Sequence, residues 1–214
     1  MTFYFLLSTF YFLLTTNLSY HLYHTPALVL GSEPFGEGSK RFTLFTRELG
    51  AVVASARSVR EERSKLRYGL QELSLSEVTL VRGREQWRVT NAALSENLFG
   101  ALRGNRAALE VCVRISRLLR RLLAGEEKHE ALFDTVIAGF RFLETLPDAN
   151  LHRGSEIVLV LRILFLLGYL APRCEFDALL SSPAFWDEKT VSRALSFRAL
   201  AILEINHSLR QTQL

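Results

Sequence analysis

The feature that most constrains this chain is a change of hydrophobic period near residue 93, where alternation typical of strands gives way to the three- and four-residue spacing of helices. Upstream, apolar runs stand between turn signals. "LYHTPALVLGSEPFGEG" ends at Gly31-Ser32 and passes Gly36 and Gly38, and "SKRFTLFTRELG" sets Phe42 and Leu44 on one face and Arg41, Thr43 and Phe45 on the other. "AVVASARSV" is a third strand, and "LSEVTLVRGREQWRVTNA" is a hairpin turning at Arg82-Gly83-Arg84. Between them the charged, aperiodic segment 60–72, "REERSKLRYGLQE", predicts a loop holding a helical turn. Five strands in about seventy residues predict a small closed barrel, of which the OB-fold is the commonest form. Periodicity alone does not separate it from an SH3-like barrel.

Downstream, "NRAALEVCVRISRLLRRLLAG" brings Leu109, Val113, Leu118 and Leu122 together, and "KHEALFDTVIAGFRFLETLP" continues the pattern up to Pro147. "SEIVLVLRILFLLGYLAP" is apolar on nearly all sides, which predicts a central buried helix. Arg162 at its middle and its short length exclude a membrane span. "DEKTVSRALSFRALAILEINHSLRQTQL" reads as one long final helix with an acidic start suited to the helix dipole. The expected architecture is multi-domain β plus α: an extension over residues 1–17, a five-stranded barrel of the OB or SH3-like kind over 18–93 and an all-α domain over 94–214.

The extension contains FYFLLST (3–9) followed directly by FYFLLTT (10–16), a tandem heptapeptide copy. Residues 1–32 carry no Lys or Arg, and no small-residue cleavage site follows, so a secretory signal fits poorly. The run from Phe3 to Leu14 is too short for a spanning helix.

No phosphate loop, nucleophile elbow or HExxH zinc motif occurs in the sequence. The five histidines are scattered, and Cys112 and Cys174 stand far apart, so neither a catalytic centre, a metal site nor a cofactor is expected. The chemistry that does stand out is basic. The net charge is +4, and of the cations only Lys40, Lys65, Lys128 and Lys189 are lysine. Arginine suits phosphate and base stacking through its planar, always charged fork. Arg57, Arg60, Arg63, Lys65 and Arg67 crowd one segment next to Tyr68; Lys40 and Arg41 open the second strand; Arg82, Arg84 and Arg88 surround the hairpin with Trp87. Cations that track phosphates beside aromatic faces that stack on bases are what single-strand binding requires. The alternative is a solvated surface in which Glu61, Glu62 and Glu85 pair with these arginines and Trp87 is core. In the helical half Arg114, Arg117, Arg120 and Arg121 form a second cluster, either a docking surface for an acidic peptide or an exposed face balanced by Glu126, Glu127 and Glu130.

From residue 20 the text closely resembles the RecO family of bacterial recombination mediators. The opening YHxYxTxAxVLGSxPFGE, the LFTxxLG strand and turn, the SKLRYxLQ loop and the VRGRExWRxT hairpin carry the likeness, with RRLLAGEExHExLF, LRILFLLGYLAP and INxSLRxxQL extending it more loosely to residue 214. The resemblance implies an OB-fold joined to a helical domain in a non-enzymatic cytoplasmic, nucleoid-associated protein. Such a protein would bind single- and double-stranded DNA, anneal complementary strands, contact the acidic C-terminal tail of single-stranded DNA-binding protein and, with RecR, help load RecA. It favours DNA contact for Lys40, Arg41, Lys65, Arg67, Arg82, Arg84 and Arg88. Some members hold zinc with four cysteines after the segment matching LGYLAP; Cys174 stands alone there, so no zinc site is expected. The resemblance begins at "LSYHLYHT", which suggests Leu18 as a start codon read as methionine and residues 1–17 as upstream sequence. The second functional expectation is a protein-interaction adaptor whose helical domain docks an acidic tail, with the barrel as scaffold.

Overall fold

The computed structural model describes residues 21–211 apart from Glu85, Pro183 and Ala184. The N-terminal extension expected over residues 1–17, and the start at Leu18, lie outside the described residues. Strands β1 (Leu22–Pro34), β2 (Lys40–Thr46), β3 (Gly50–Ala56), β4 (Ser74–Arg82) and β5 (Trp87–Asn97) close into a barrel in the order β1-β2-β3-β5-β4. Neighbours are antiparallel except β3 and β5, which run parallel where Ala54 meets Trp87 and Ser55 meets Arg88. Closure depends on the length of β1, which pairs with β2 through Phe45 and with β4 through Leu75 at the same residue, Leu28. A bulge between Val29 and Gly31 lets it curve around the barrel.

Alternation sorts the side chains of β1 and β2 between two cores. Ala27, Val29, Phe42 and Leu44 point into the barrel with Val52, Val78, Leu80 and Val89. Leu28, Leu30 and Phe45 point outward, yet they are equally buried, because the helices cover that face. The continuous apolar run "ALVL" therefore marks a strand covered on both sides. Short helix α1 (Leu66–Gly69) plugs one barrel mouth, with Leu66, Leu70 and Val59 completing the inner core.

The helical part comprises α2 (Leu98–Ala101), α3 (Arg106–Leu122), α4 (Glu130–Thr145), α5 (Ala149–Leu166), α6 (Asp177–Leu180), α7 (Glu188–Ser196) and α8 (Arg198–Gln211). Side-chain oxygens of Asn97, Asn105, Asp148 and Asp187 accept from backbone N–H groups at the starts of α2, α3, α5 and α7. The central helix is α5, which touches α3, α4, α6, α7 and α8, as its apolar circumference requires. Its Arg162 is buried, donates from Nε to the Leu179 carbonyl at 2.8 Å and lies 4.4 Å from the Trp186 ring centroid. Burial pulls its pKa down to about 10. None of the described helices is long and apolar enough to cross a membrane.

Three boundaries differ from the sequence reading. β5 continues to Asn97 instead of ending at residue 93, because Leu94 and Glu96 keep pairing with Ser76 and Leu75 on β4. The third strand stops at Ala56, before the turn at Arg57–Arg60. The final segment is two helices, not one. The Ser196 hydroxyl donates to the Arg193 carbonyl at 2.7 Å, and Phe197 leaves helical geometry at φ −100°, ψ 15°.

The barrel and helices meet tightly at Gly50. Its φ is +69°, and a Cβ there would overlap the backbone carbonyl of Glu127. Gly50→Ala is expected to cost more than about 2 kcal/mol, whereas Gly36→Ala, at φ +68° with open space around it, loses only the conformational part, about 1–2 kcal/mol. Urea unfolding of the two variants measures the difference; equal losses would mean that the contact with the helical part adds nothing.

Candidate nucleic-acid interface

Lys40 and Arg41 follow one another at the start of β2, so their side chains diverge to opposite faces of the strand. Each lines a different groove. The first groove, about 820 Å³, lies between the outer face of β2–β3 and the end of α3. Its walls include Phe35, Val53, Trp87 and Leu123, with Arg41, Arg120 and Glu126 as charged lining. The Arg41 guanidinium sits 4.3 Å from the Phe35 ring centroid and 3.2 Å from the Glu33 carboxylate. Arg120 reaches from α3 to lie against Gly31, where a Cβ would come within 2.9 Å of its Nη1. A side chain at Gly31 would therefore displace Arg120 from the groove.

The second groove, about 480 Å³, opens at the barrel mouth over a floor of Phe42, Val59 and Leu70. Lys40, Arg60 and Arg67 line it together with Glu72, whose carboxylate accepts from the Ser32 hydroxyl at 3.4 Å. Arg57, Arg63 and Lys65 are exposed on the same β3–α1 connection, and Tyr68 is 65% exposed beside them. Among the described residues no carboxylate lies within ion-pair distance of Lys40, Arg57, Arg60, Arg63, Lys65 or Arg67. Glu61 and Glu62 are exposed on the connection without bridging to these cations; Glu85 lies outside the described residues.

The hairpin departs from the sequence expectation at Trp87. The ring is 5% exposed, its Nε1 donates to Glu126 at 2.6 Å, its edge meets Tyr23 at 5.1 Å, and Arg82 covers it at 5.5 Å. Trp87 is thus a core residue and offers no free face for a base. Arg82 is 3.4 Å from the same Glu126 carboxylate, while Arg84 and Arg88 are exposed. Phe35 is the ring the sequence reading passed over. Its signal was its place in the Gly-rich connection before β2, where a large apolar residue has no strand to pack into.

The second arginine cluster is divided. Arg114 is not available to a partner: its guanidinium holds both oxygens of Glu156 at 2.5 and 2.8 Å, and this hydrogen bonding raises its pKa. Arg117 and Arg120 line a smaller pocket of about 280 Å³ with Phe99, Val113, Leu30 and Leu73. Arg121 is exposed. The acids expected to balance the cluster turn elsewhere, Glu126 to Arg82 and Trp87, Glu130 to Arg47 and Lys128, and Glu127 to His129. Arg47 is the main pin between the two parts, with Nε and Nη2 each 3.0 Å from an Asp134 oxygen, contacts that raise its pKa.

Residues 20–98, which carry β1–β5 and most of both grooves, match the family model described as Recombination protein O N terminal. The chain is 34% identical over 150 residues to the DNA repair protein RecO of Heliobacterium modesticaldum, covering 69% of this chain and 52% of that one. It is 31% identical over 168 residues to the DNA repair protein RecO of Pelotomaculum thermopropionicum, covering 77% and 64%. This chain belongs to the RecO family. It spans about half the length of the first of these relatives.

Within this RecO-family chain, Arg120, Leu123 and Glu126 lie beyond the matched N-terminal domain, so the first groove is completed by the helical part. The Trp87–Glu126 bond is its keystone. Glu126→Ala leaves the buried indole N–H without its acceptor and is expected to cost about 1–3 kcal/mol, while Glu126→Gln keeps an acceptor and loses less than half of that. Urea unfolding followed by far-UV circular dichroism separates the two variants.

Proposed function

We propose that this protein acts in DNA repair and recombination as a non-enzymatic mediator that binds single- and double-stranded DNA and anneals complementary strands. The observation that carries this reading is the group of six cations around the β3–α1 connection that have no carboxylate partner among the described residues. Elsewhere in the protein, arginines such as Arg47, Arg114 and Arg141 are tied to acids. An unneutralised cluster repels itself and is relieved by phosphates, which release counterions as they bind. The strand order, with β3 parallel to β5, supports an OB-fold, whose β2–β3 face and β1–β2 and β4–β5 loops bind oligonucleotides. The resemblance adds RecR and the loading of RecA as the partner chemistry, in a cytoplasmic, nucleoid-associated setting.

A salt titration with a labelled single strand tests it. Six neutralised phosphates give a slope of about −4 in log K against log salt, and replacing Lys65 and Arg67, two of the six cations, together with Arg82 and Arg84 by Ala flattens it by at least about 1.4. An affinity indifferent to salt, or annealing unchanged in the fourfold variant, overturns the reading.

A specific feature supports a second activity. The pocket of Leu30, Leu73, Phe99 and Val113 has an apolar floor and two arginines, Arg117 and Arg120, against one acid, Glu72, which suits a peptide ending in acidic and aromatic residues, such as the acidic tail of single-stranded DNA-binding protein. If the protein is an adaptor only, such a peptide binds and DNA does not.

A further inference from the structure

We infer that the two grooves flanking the start of β2 are two separate single-strand tracks, one for each of two strands, so that one chain holds two strands with a single β-strand between them. The inference rests on the reading that the barrel binds DNA and goes beyond it in assigning two sites of different character.

The separation is built into the backbone. No residue lines both grooves, and the only consecutive cations at their boundary, Lys40 and Arg41, face opposite ways. One backbone thickness, about 5 Å, separates neighbouring strand axes in a sheet. Two polynucleotides lying on the two sides of β2 are therefore near enough to meet.

The grooves also differ in chemistry. Lys40, Arg60 and Arg67 outnumber the one lining acid, Glu72, which is ion-paired to none of them, and they stand over a floor that is already buried, so the second groove offers net positive charge and little exposed ring surface. It grips phosphates and leaves bases turned outward, free to pair. The first groove offers the reverse. Phe35 and the 50% exposed Val53 give it apolar walls; of its two lining arginines, Arg41 already has Glu33 beside it, and Glu126 adds a second carboxylate to the lining. A phosphate entering there competes with a carboxylate, so this track is the weaker one, held partly through bases that stack on the apolar wall. A strand loosely held beside one presented bases-out can let go of the wall and pair.

The test uses the full chain, a labelled single-stranded oligothymidylate for binding and a pair of complementary mixed-sequence oligonucleotides for annealing. The first-groove variant is Arg41→Ala with Arg120→Ala; the second-groove variant is Lys40→Ala, Arg60→Ala and Arg67→Ala. Wild type is expected to take up two strands per chain in a tight, salt-steep phase and a weaker one. The second-groove variant weakens the tight phase by about tenfold or more. The first-groove variant leaves the tight phase within about twofold and removes the weaker one, and each variant slows annealing by about tenfold or more. Arg41→Gln, which keeps packing over Phe35, is expected to weaken only the weaker phase. One strand per chain in wild type, a first-groove variant that weakens the tight phase as much as the other, or annealing unaffected by either set overturns the two-track inference while leaving DNA binding standing. Wild type that binds no strand at low salt overturns the underlying reading as well.

Discussion

The double burial of β1 is the constraint on which the rest of the structure depends. Ala27 and Val29 close the barrel from inside, and Leu28 and Leu30, on the alternate face, belong to the helical core together with Phe45 of β2. Val29, Leu28, Leu30 and Phe45 each contribute about 1.5–3 kcal/mol on burial, so barrel closure and helix docking are coupled through the same few residues. The junction is then fastened by polar contacts of fixed geometry. Arg47 grips Asp134, Arg141 meets Glu96 at 2.8 Å, and the Ala51 N–H donates to the Gly125 carbonyl at 3.2 Å. With the helices held this closely, the first groove has one wall from each part, and Arg120 reaches it from α3.

The arginines divide by what surrounds them. Arg47 and Arg141 at the barrel–helix junction and Arg114 between α3 and α5 have carboxylates at hydrogen-bond distance, and there they act as structural ties. Those on the β3–α1 connection have none among the described residues. The contrast matters because exposed ion pairs add little stability and are screened by salt, so an unpaired cluster is not explained by folding. Its free energy is lowered by an anion from outside. Glu126 shows the opposite case: it is an acid lining the same groove as Arg41 and Arg120, where it satisfies the buried indole of Trp87.

Much of this was legible in the sequence, and the failures have identifiable causes. The "ALVL" run, the alternation of Phe42 and Leu44 against Phe45, and the all-round apolar helix α5 each follow from period and burial, and the structure places them accordingly. The crowding of Arg57, Arg60, Arg63, Lys65 and Arg67 was also visible, although not that Arg60 and Arg67 would share a groove with Lys40 from β2. Trp87 was misjudged because a tryptophan flanked by arginines looks the same in sequence whether its indole finds a base or a carboxylate, and Glu126 is distant along the chain. Arg114 and Arg120, close together on α3, separate because one meets Glu156 of α5 and the other meets the bare backbone of Gly31. Local pattern reports which residues share a face. It does not report which acid a fold will bring to that face.

That distinction bears on how a barrel of this kind handles more than one strand. Consecutive residues on a β-strand necessarily face opposite ways, so any pair of adjacent cations at a strand end divides its charge between two surfaces. What decides whether those surfaces become two sites or one site and a structural contact is the neighbouring element on each side. Here the β3–α1 connection adds cations to the side of Lys40, and α3 adds Arg120 and apolar walls to the side of Arg41. The helical part is therefore more than a covering for Leu28 and Leu30: by docking where it does, it turns the open outer face of β2–β3 into a groove lined by residues of both parts.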